Sequence, residues 1–326
     1  MTQSLAEAFL EQMNEFHTKR QPYDDTLDIW LHESYAKKLR QGRDVDWSKP
    51  YFSPSSASAC PRALYHKLKK HKKDVQDPTP HQRRWTAMGT LTGDLIQREI
   101  LLAERHMKKL CGKEPRFVIG ITEEKFPAFE DFVFVQKVIE HNGETFSIVG
   151  TGDGLMVDKE TGELVMLEVK SKSEGASKTN YTQMKSAKQE HIDQVTCYSI
   201  MYETRTGIIT YLNLSKQKWM ADEETLEKNP DLRAFDVNVT DGMQQLILDK
   251  FADITRRARE NDPPLPDLTS WMFNDYKTKI AETITDEEIA KLESVVTSVK
   301  KSSQPAWMKR SVENALDDIK RRRVKL

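Results

Sequence analysis

A chain of 326 residues is long enough for two average domains or for one domain with large additions. Charged residues make up 31% and hydrophobic residues 37%, a polar balance that still leaves material for a core. A formal charge of -1, from 50 Lys and Arg against 51 Asp and Glu, excludes a uniformly basic or acidic protein, so only local clusters can indicate a partner. No apolar run approaches the length of a membrane span, and "MTQSLAEAFLEQMNEF" lacks the basic start and apolar centre of a signal peptide. The expectation is a cytoplasmic protein with no membrane partner. Cys60, Cys111 and Cys197 are far apart and form no CxxC or Cys/His pattern, which points to a reducing compartment and away from structural zinc.

Residues 1 to about 45 carry apolar residues at helical spacing in "LAEAFLEQMNEF" and "TLDIWLHESYAKKL". Pro50, Pro54 and the serines that follow mark a loop. Ser55, Ser56 or Ser58 is expected to cap a helix whose first turn holds Pro61 and whose end is the basic run Lys67 to Lys73. A long helix is predicted from about Arg83 to Leu110. The centre turns to strands rich in Val, Ile and Phe, with turns at Asn142-Gly143 and Thr161-Gly162. A helix from about Asn180 to Glu203 follows, then the strands "GIITYLNLS" and "DVNVTD" and the helix "GMQQLILDKFADITRRAREN". "DPPLPD" ends that helix, and "DEEIAKLESVVTSVKKSSQPAWMKRSVENALDDIKRRRVKL" reads as one or two helices with a basic end. This order predicts an α/β fold, a central mixed sheet flanked by helices, with helical additions at both ends.

The stretch "IVGTGDGLMVDKETGELVMLEVKSK" carries the chemistry. If the strands fold back symmetrically at Glu160-Thr161, paired positions sum to 321 and Asp153 faces Glu168. Facing side chains stand roughly 5 Å apart at Cβ, so two carboxylates there repel unless a cation lies between them. Lys170 shares a face with Glu168, and Val169 points the other way. Hard oxygen ligands suit Mg²⁺ or Mn²⁺, and a lysine beside them suits phosphodiester hydrolysis. Gly152 and Gly154 are expected to let a nucleic-acid backbone approach. Farther on, His191, Gln194, Val195, Tyr198, Met201 and Tyr202 line one helical face.

"GTGDGLM", "MLEVKSK" and "QVTCY", in that order, resemble the PD-(D/E)XK nuclease superfamily, nearest to its RecB-like and lambda-exonuclease-like branch. The resemblance covers roughly residues 53 to 270 and implies a restriction-endonuclease-like core. It implies that Asp153 and Glu168 bind the divalent metal, that Lys170 supports the attacking water, and that Gln194 and Tyr198 contact substrate or order the site. Val169 and Gln97 complete the implied ligand set. The family often has His four residues after the glycine of "GDLIQREI"; this chain has Gln97 there, with Glu99 two further on, and either one is a candidate for the first-helix ligand. "SASACPRALYHKL" resembles the segment whose cysteine holds an iron-sulfur cluster in many relatives, but the matching "PPLPDLTSWMFNDYK" has no cysteine. The expectation is no cluster, with Trp271, Met272, Phe273 and Tyr276 packing in its place.

The resemblance divides the chain into a helical extension (1–50), the nuclease core (51–270) and a basic helical extension (271–326). DNA is the implied partner, and a single-strand annealing or recombination protein is a second one. Phosphate contacts are expected from Lys172, Lys178 and Lys185 near the site and from Arg62 and Lys69 in the basic run. The tail Lys309, Arg310 and 320–325 adds further charge. The activity expected is a metal-dependent deoxyribonuclease, an exonuclease of recombination or repair, of phage or mobile-element origin. Two alternatives stand beside it: a structure-selective or nicking endonuclease, and a module that binds DNA or protein without cutting.

Overall fold

The computed structural model describes residues 3–215, 219–220 and 222–324. Its elements in chain order begin with the helices α1 (Leu5–His17) and α2 (Asp25–Gln41), the short strand β1 (Tyr51–Phe52), and the helices α3 (Pro61–Leu68) and α4 (Pro80–Cys111). Strands β2 (Phe117–Ile119), β3 (Val135–His141), β4 (Glu144–Gly150), β5 (Gly154–Asp158) and β6 (Leu164–Lys172) follow. After them come helix α5 (Gln189–Tyr202), strand β7 (Thr206–Asn213), helix α6 (Glu223–Lys228), strand β8 (Leu232–Asn238) and helix α7 (Asp241–Glu260). Helices α8 (Lys277–Thr283), α9 (Asp286–Lys301) and α10 (Ala306–Val324) close the chain.

Two compact units result, and neither is one continuous stretch. The first takes residues 1–46, 78–137 and 148–245; the second takes 47–77, 138–147 and 246–326. The first is the expected α/β layer: a mixed five-stranded sheet in the order β2-β5-β6-β7-β8, with helices packed on it. β5 and β6 are antiparallel and paired as Gly154 with Leu167 through Val157 with Leu164, the register expected from the turn position. Gly162, at φ +76°, supplies the left-handed residue this turn needs. β6 and β7 are parallel, so the chain must cross over between them, and α5 is that crossover. β6 is the central strand, and Val165 to Val169 are all buried, which is why "VMLEV" reads as a near-continuous apolar run. α1 and α4 supply Phe9, Met13, Ile96, Ile100 and Leu102 to the core beneath the sheet.

The second unit holds most of a three-stranded sheet in the order β1-β4-β3. Asn142 and Gly143, both left-handed, close its hairpin. Phe52 stacks on Phe251 at 4.1 Å between ring centres, with Phe146 edge-on to both. A separate core of Cys60, Trp271, Tyr276, Ile280, Leu292, Val312, Leu316 and Ile319 joins α3 to the C-terminal helices.

Three local expectations change. α3 starts at Pro61 with Cys60 in the capping position and no side-chain cap; Ser56 instead closes a tight turn back onto Ser53, and Ser55 lies within it. The helix expected from Asn180 begins at Gln189, because the Asn180 side chain accepts from the backbone and hydroxyl of Thr182 and turns the chain. Trp271 and Tyr276 pack around Cys60 as expected, but Met272 and Phe273 are 70% and 88% exposed. Cys60 Sγ accepts the Asp267 N–H at 3.3 Å, so its thiol is held within the packing of this unit.

Candidate active site

All the central residues of the "GDG…EVK" stretch lie in the first unit, at the end of the β5–β6 pair. Asp153 sits in the bend just before β5, one step beyond the pair Gly154–Leu167, and so at the place facing Glu168. Its Oδ2 accepts the Val169 N–H at 2.7 Å. Glu168, in the buried centre of β6, is wholly inaccessible. Lys170 Nζ contacts Glu168 Oε1 and donates to Gln194 Oε1 at 3.1 Å. Gln194 Nε2 in turn donates to the Tyr198 hydroxyl at 2.9 Å. The chain from Glu168 through Lys170 and Gln194 to Tyr198 therefore ties β6 to α5.

The flanking glycines have a different reason from the one expected. A Cβ on Gly152 would meet Met166 Cε at 3.0 Å, and one on Gly154 would meet Leu167 at 3.3 Å. Their missing side chains permit close packing of the chain on β6, not the approach of a ligand. Tyr202 fastens the same bend, accepting the Gly152 N–H at 3.1 Å and donating to Val133 O at 2.7 Å.

Sequence reasoning missed one acid. Glu130 stands in a left-handed backbone conformation, φ +47°, which a residue with a Cβ rarely adopts. Its N–H donates to Gly152 O at 3.0 Å, which brings it beside the Asp153 bend. Gln97 Nε2 donates to Glu130 Oε1 at 3.2 Å and to Asp153 O at 2.8 Å. No motif in the sequence marks Glu130; it joins the site only because the chain folds back before β3. Glu99, the other candidate on α4, faces elsewhere and pairs with His17 at 3.3 Å. Two residues of helical offset decide between them, and Gln97 is the one at the site.

The electrostatics follow from three acids in a poorly solvated place. Burial, with Asp153 nearby, pushes the Glu168 carboxyl up to about 8 against the pull of Lys170. Burial raises Asp153 as well, opposed by the Val169 N–H and by Lys170. Glu130 rises to about 7, from burial first and the Asp153 charge second. Tyr198 is pushed far up by burial and by the Glu168 and Asp153 charges. His191, which meets the Tyr211 hydroxyl at 2.7 Å, is lowered to about 4 by burial and then by Lys170, and stays neutral.

The polar atoms left over define what the site lacks. Glu168 Oε1 is met by the Lys170 ammonium, whereas Glu168 Oε2 and Gln97 Oε1 are buried without a hydrogen-bond partner. Such buried oxygens are costly unless something positive meets them. Among the described residues, no three His, Cys, Asp or Glu side chains enclose a metal ion by themselves. The donor set that fits a hard cation is therefore mixed: the carboxylates of Asp153 and Glu168 and the amide oxygen of Gln97. Val169 can join only through its carbonyl, because its side chain is apolar and buried.

The five expected DNA contacts separate. Lys178 and Lys185 are exposed. Lys172 is half-buried over the Tyr211 ring at 5.8 Å, and burial lowers its pKa. Arg62 is corrected: it is wholly buried in the second unit, where it binds Glu288 at 2.8 Å and the carbonyls of Pro263, Pro264 and Thr283. A buried guanidinium with these partners cannot meet a phosphate. Lys69 is occupied at the end of α7, bonded to Asn261 Oδ1 at 2.7 Å and to Ala258 O. In the tail, Lys320 pairs with Glu293, Arg321 and Arg322 with Asp318, and Arg323 with Asp286; Lys325 lies outside the described residues.

No family model matches the chain, and no curated protein matches it. Among solved structures, the chain is similar to SSO0001 at 9% identity, over 82% of this chain and all of that one, with a TM-score of 0.41. It is also similar to an alkaline exonuclease, LHK-Exo, from Laribacter hongkongensis, at 10% identity over 71% of this chain and 94% of that one, TM-score 0.31. The same exonuclease in complex with dAMP gives a TM-score of 0.36 at the same identity and coverage.

Proposed function

We propose that this protein is a divalent-metal-dependent deoxyribonuclease whose active site is Asp153, Glu168, Lys170, Gln194 and Tyr198. The observation that carries the reading is Glu168: a fully buried carboxylate, beside Asp153 and in contact with Lys170. One lysine ammonium faces two buried acids, Asp153 and Glu168, so negative charge is left in excess for a divalent cation to balance, and a lysine at the same place suits a reaction that develops negative charge. A divalent cation, when bound, supplies positive charge to a scissile phosphate and makes water a better nucleophile at neutral pH.

The chain's own residues do the rest. Asp153 is oriented by the Val169 N–H, and Glu168 by the rigidity of the central strand. Lys170, held between Glu168 and Gln194, is placed to orient the attacking water and to offset charge in the transition state. Gln194 fixes the lysine, and Tyr198 fixes Gln194. Lys178 and Lys185 provide exposed positive charge for the DNA backbone. The resemblance of "GTGDGLM", "MLEVKSK" and "QVTCY" favours an exonuclease of recombination or repair, with the nuclease core over 51–270.

Digestion of end-labelled linear and closed circular DNA with Mg²⁺, with and without chelator, tests this. Metal-dependent loss of linear DNA with circular DNA spared is the expected result; cutting of the circle makes the enzyme an endonuclease. Asp153→Ala and Glu168→Ala should each abolish cleavage while the protein stays folded. Near-normal cleavage by either folded variant removes the assignment, and DNA binding without any cleavage by the wild type leaves the non-cutting module.

A further inference from the structure

α4 brings an amide, not an acid, to the site. Gln97 is 1% exposed, and its Nε2 has two acceptors, Glu130 Oε1 and Asp153 O. Because the Asp153 carbonyl can only accept, the nitrogen of this amide is the atom that faces it. The oxygen, Oε1, is then left buried without a partner, on an amide already within hydrogen-bond distance of the Asp153 backbone. Glu130 reaches this place at a backbone cost, in the left-handed region, tied through its N–H to Gly152 O. A helix glycine, Gly93, lies against it, with a Cβ position 3.7 Å from Glu130 Oε1. An acid turned inward beside another acid, at a strained backbone position, is unfavourable unless it acts on something there.

We propose that Glu130 is a positioning residue for metal binding: by accepting from Gln97 Nε2, it locks the amide with Oε1 free and makes that oxygen a stronger ligand. The inference rests on the metal-dependent reading above. It explains how a site whose helix lacks a charged ligand can still hold a cation. The amide oxygen coordinates, and the missing negative charge is supplied one hydrogen bond away. Partners of this kind fix the ligand's orientation and raise its basicity, and their loss weakens metal affinity about 10- to 100-fold.

Mn²⁺ titration of the DNA-free protein, followed calorimetrically and by the electron paramagnetic resonance of free Mn²⁺, tests the relay without reference to activity. Glu130→Gln should weaken Mn²⁺ binding by about tenfold or more. Its melting temperature in chelator should not fall, because repulsion with Asp153 is relieved. Gln97→Ala should weaken binding similarly, and the double variant should be no worse than Gln97→Ala alone, since Glu130 acts through Gln97. Gln97→Glu combined with Glu130→Gln, which moves the carboxylate onto the helix, should restore binding. Wild-type Mn²⁺ affinity in Glu130→Gln, while Asp153→Asn loses it, overturns the relay and leaves the metal site standing. Additive losses in the double variant, or a lower metal-free melting temperature in Glu130→Gln, also overturn it. Unchanged affinity in Asp153→Asn as well overturns the metal reading itself.

Discussion

Glu168 is a residue whose cost is visible in its surroundings. Its carboxyl titrates near 8 when folded, against an ordinary 4.5, because burial and Asp153 disfavour the charged form. Between those two values the folded protein holds a proton that the unfolded chain has released. Stability contributed by this group is therefore fully present below about 4.5 and lost as pH rises toward 8. His191 works in the opposite direction at the acid end, since its lowered pKa penalises the fold only when protonation is forced. The two are separated by comparing wild type with Glu168→Gln in chelator. The wild type's melting temperature should fall relative to the variant's between pH 5 and pH 8, and Mg²⁺ should narrow the gap at pH 8. A constant difference across that range would mean that Glu168 titrates as it does in the unfolded chain. The pair Asp153–Glu168 was legible in the sequence because turn position sets register, and register sets which side chains face each other. Glu130 was not legible, since it arrives through a turn with no motif.

At the scale of the element, α5 does two jobs at once. Val195, Tyr198 and Met201 are buried on the face that carries Gln194, which stands at the rim and holds Lys170. The helix is drawn close to β7 because position 207 is glycine; a Cβ there would stand 2.8 Å from Val195 Cγ1. Gln194→Ala should lower turnover by about tenfold or more, on the order of 1.4 kcal/mol in the transition state. Its melting temperature should change little. Tyr198 is 4% exposed, so Tyr198→Ala should cost stability by about 3 kcal/mol or more, as large-to-small core changes do. Tyr198→Phe keeps the ring and isolates the hydroxyl that accepts from Gln194. Equal loss of melting temperature in Gln194→Ala and Tyr198→Ala would reduce α5 to packing alone. Helical spacing alone placed Gln194 and Tyr198 on one face, but only the sheet beneath decided which of them is buried.

At the scale of the whole molecule, positive charge serves two separate ends. In the second unit Arg62 is structural: wholly buried and bound to Glu288 and three carbonyls, it ties α3 to the loop after α7 and to the start of α9. Arg62→Ala takes the partner from Glu288 Oε1 and from these carbonyls and should cost about 3–5 kcal/mol, read as a lower denaturant midpoint. In the first unit Lys178 and Lys185 are exposed and carry no such cost. Lys178→Ala and Lys185→Ala should leave the midpoint unchanged, weaken DNA binding, and reduce the salt slope by roughly 0.9 for each phosphate no longer neutralised. An unchanged slope would assign the DNA path to another face.

The sequence by itself determined the order of the main helices and strands, without β1, α6 and α8, together with the β5–β6 register and the convergence of Asp153, Glu168 and Lys170. These depend on periodicity, turn residues and the two-residue repeat of a strand, all local. It also left the choice between Gln97 and Glu99 open; the rotation of α4 in the folded chain brings Gln97 to Asp153 and turns Glu99 to His17. The same holds for Arg62, Lys69 and the tail: a run of basic residues has one appearance in sequence whether it faces water or a buried carboxylate. Which of the two it meets depends on segments far along the chain, Glu288 for Arg62 and Asn261 for Lys69, and such long-range pairing leaves no local mark. Glu130 belongs with them, brought to Gln97 and Asp153 by a backbone bond to Gly152 that no periodicity encodes.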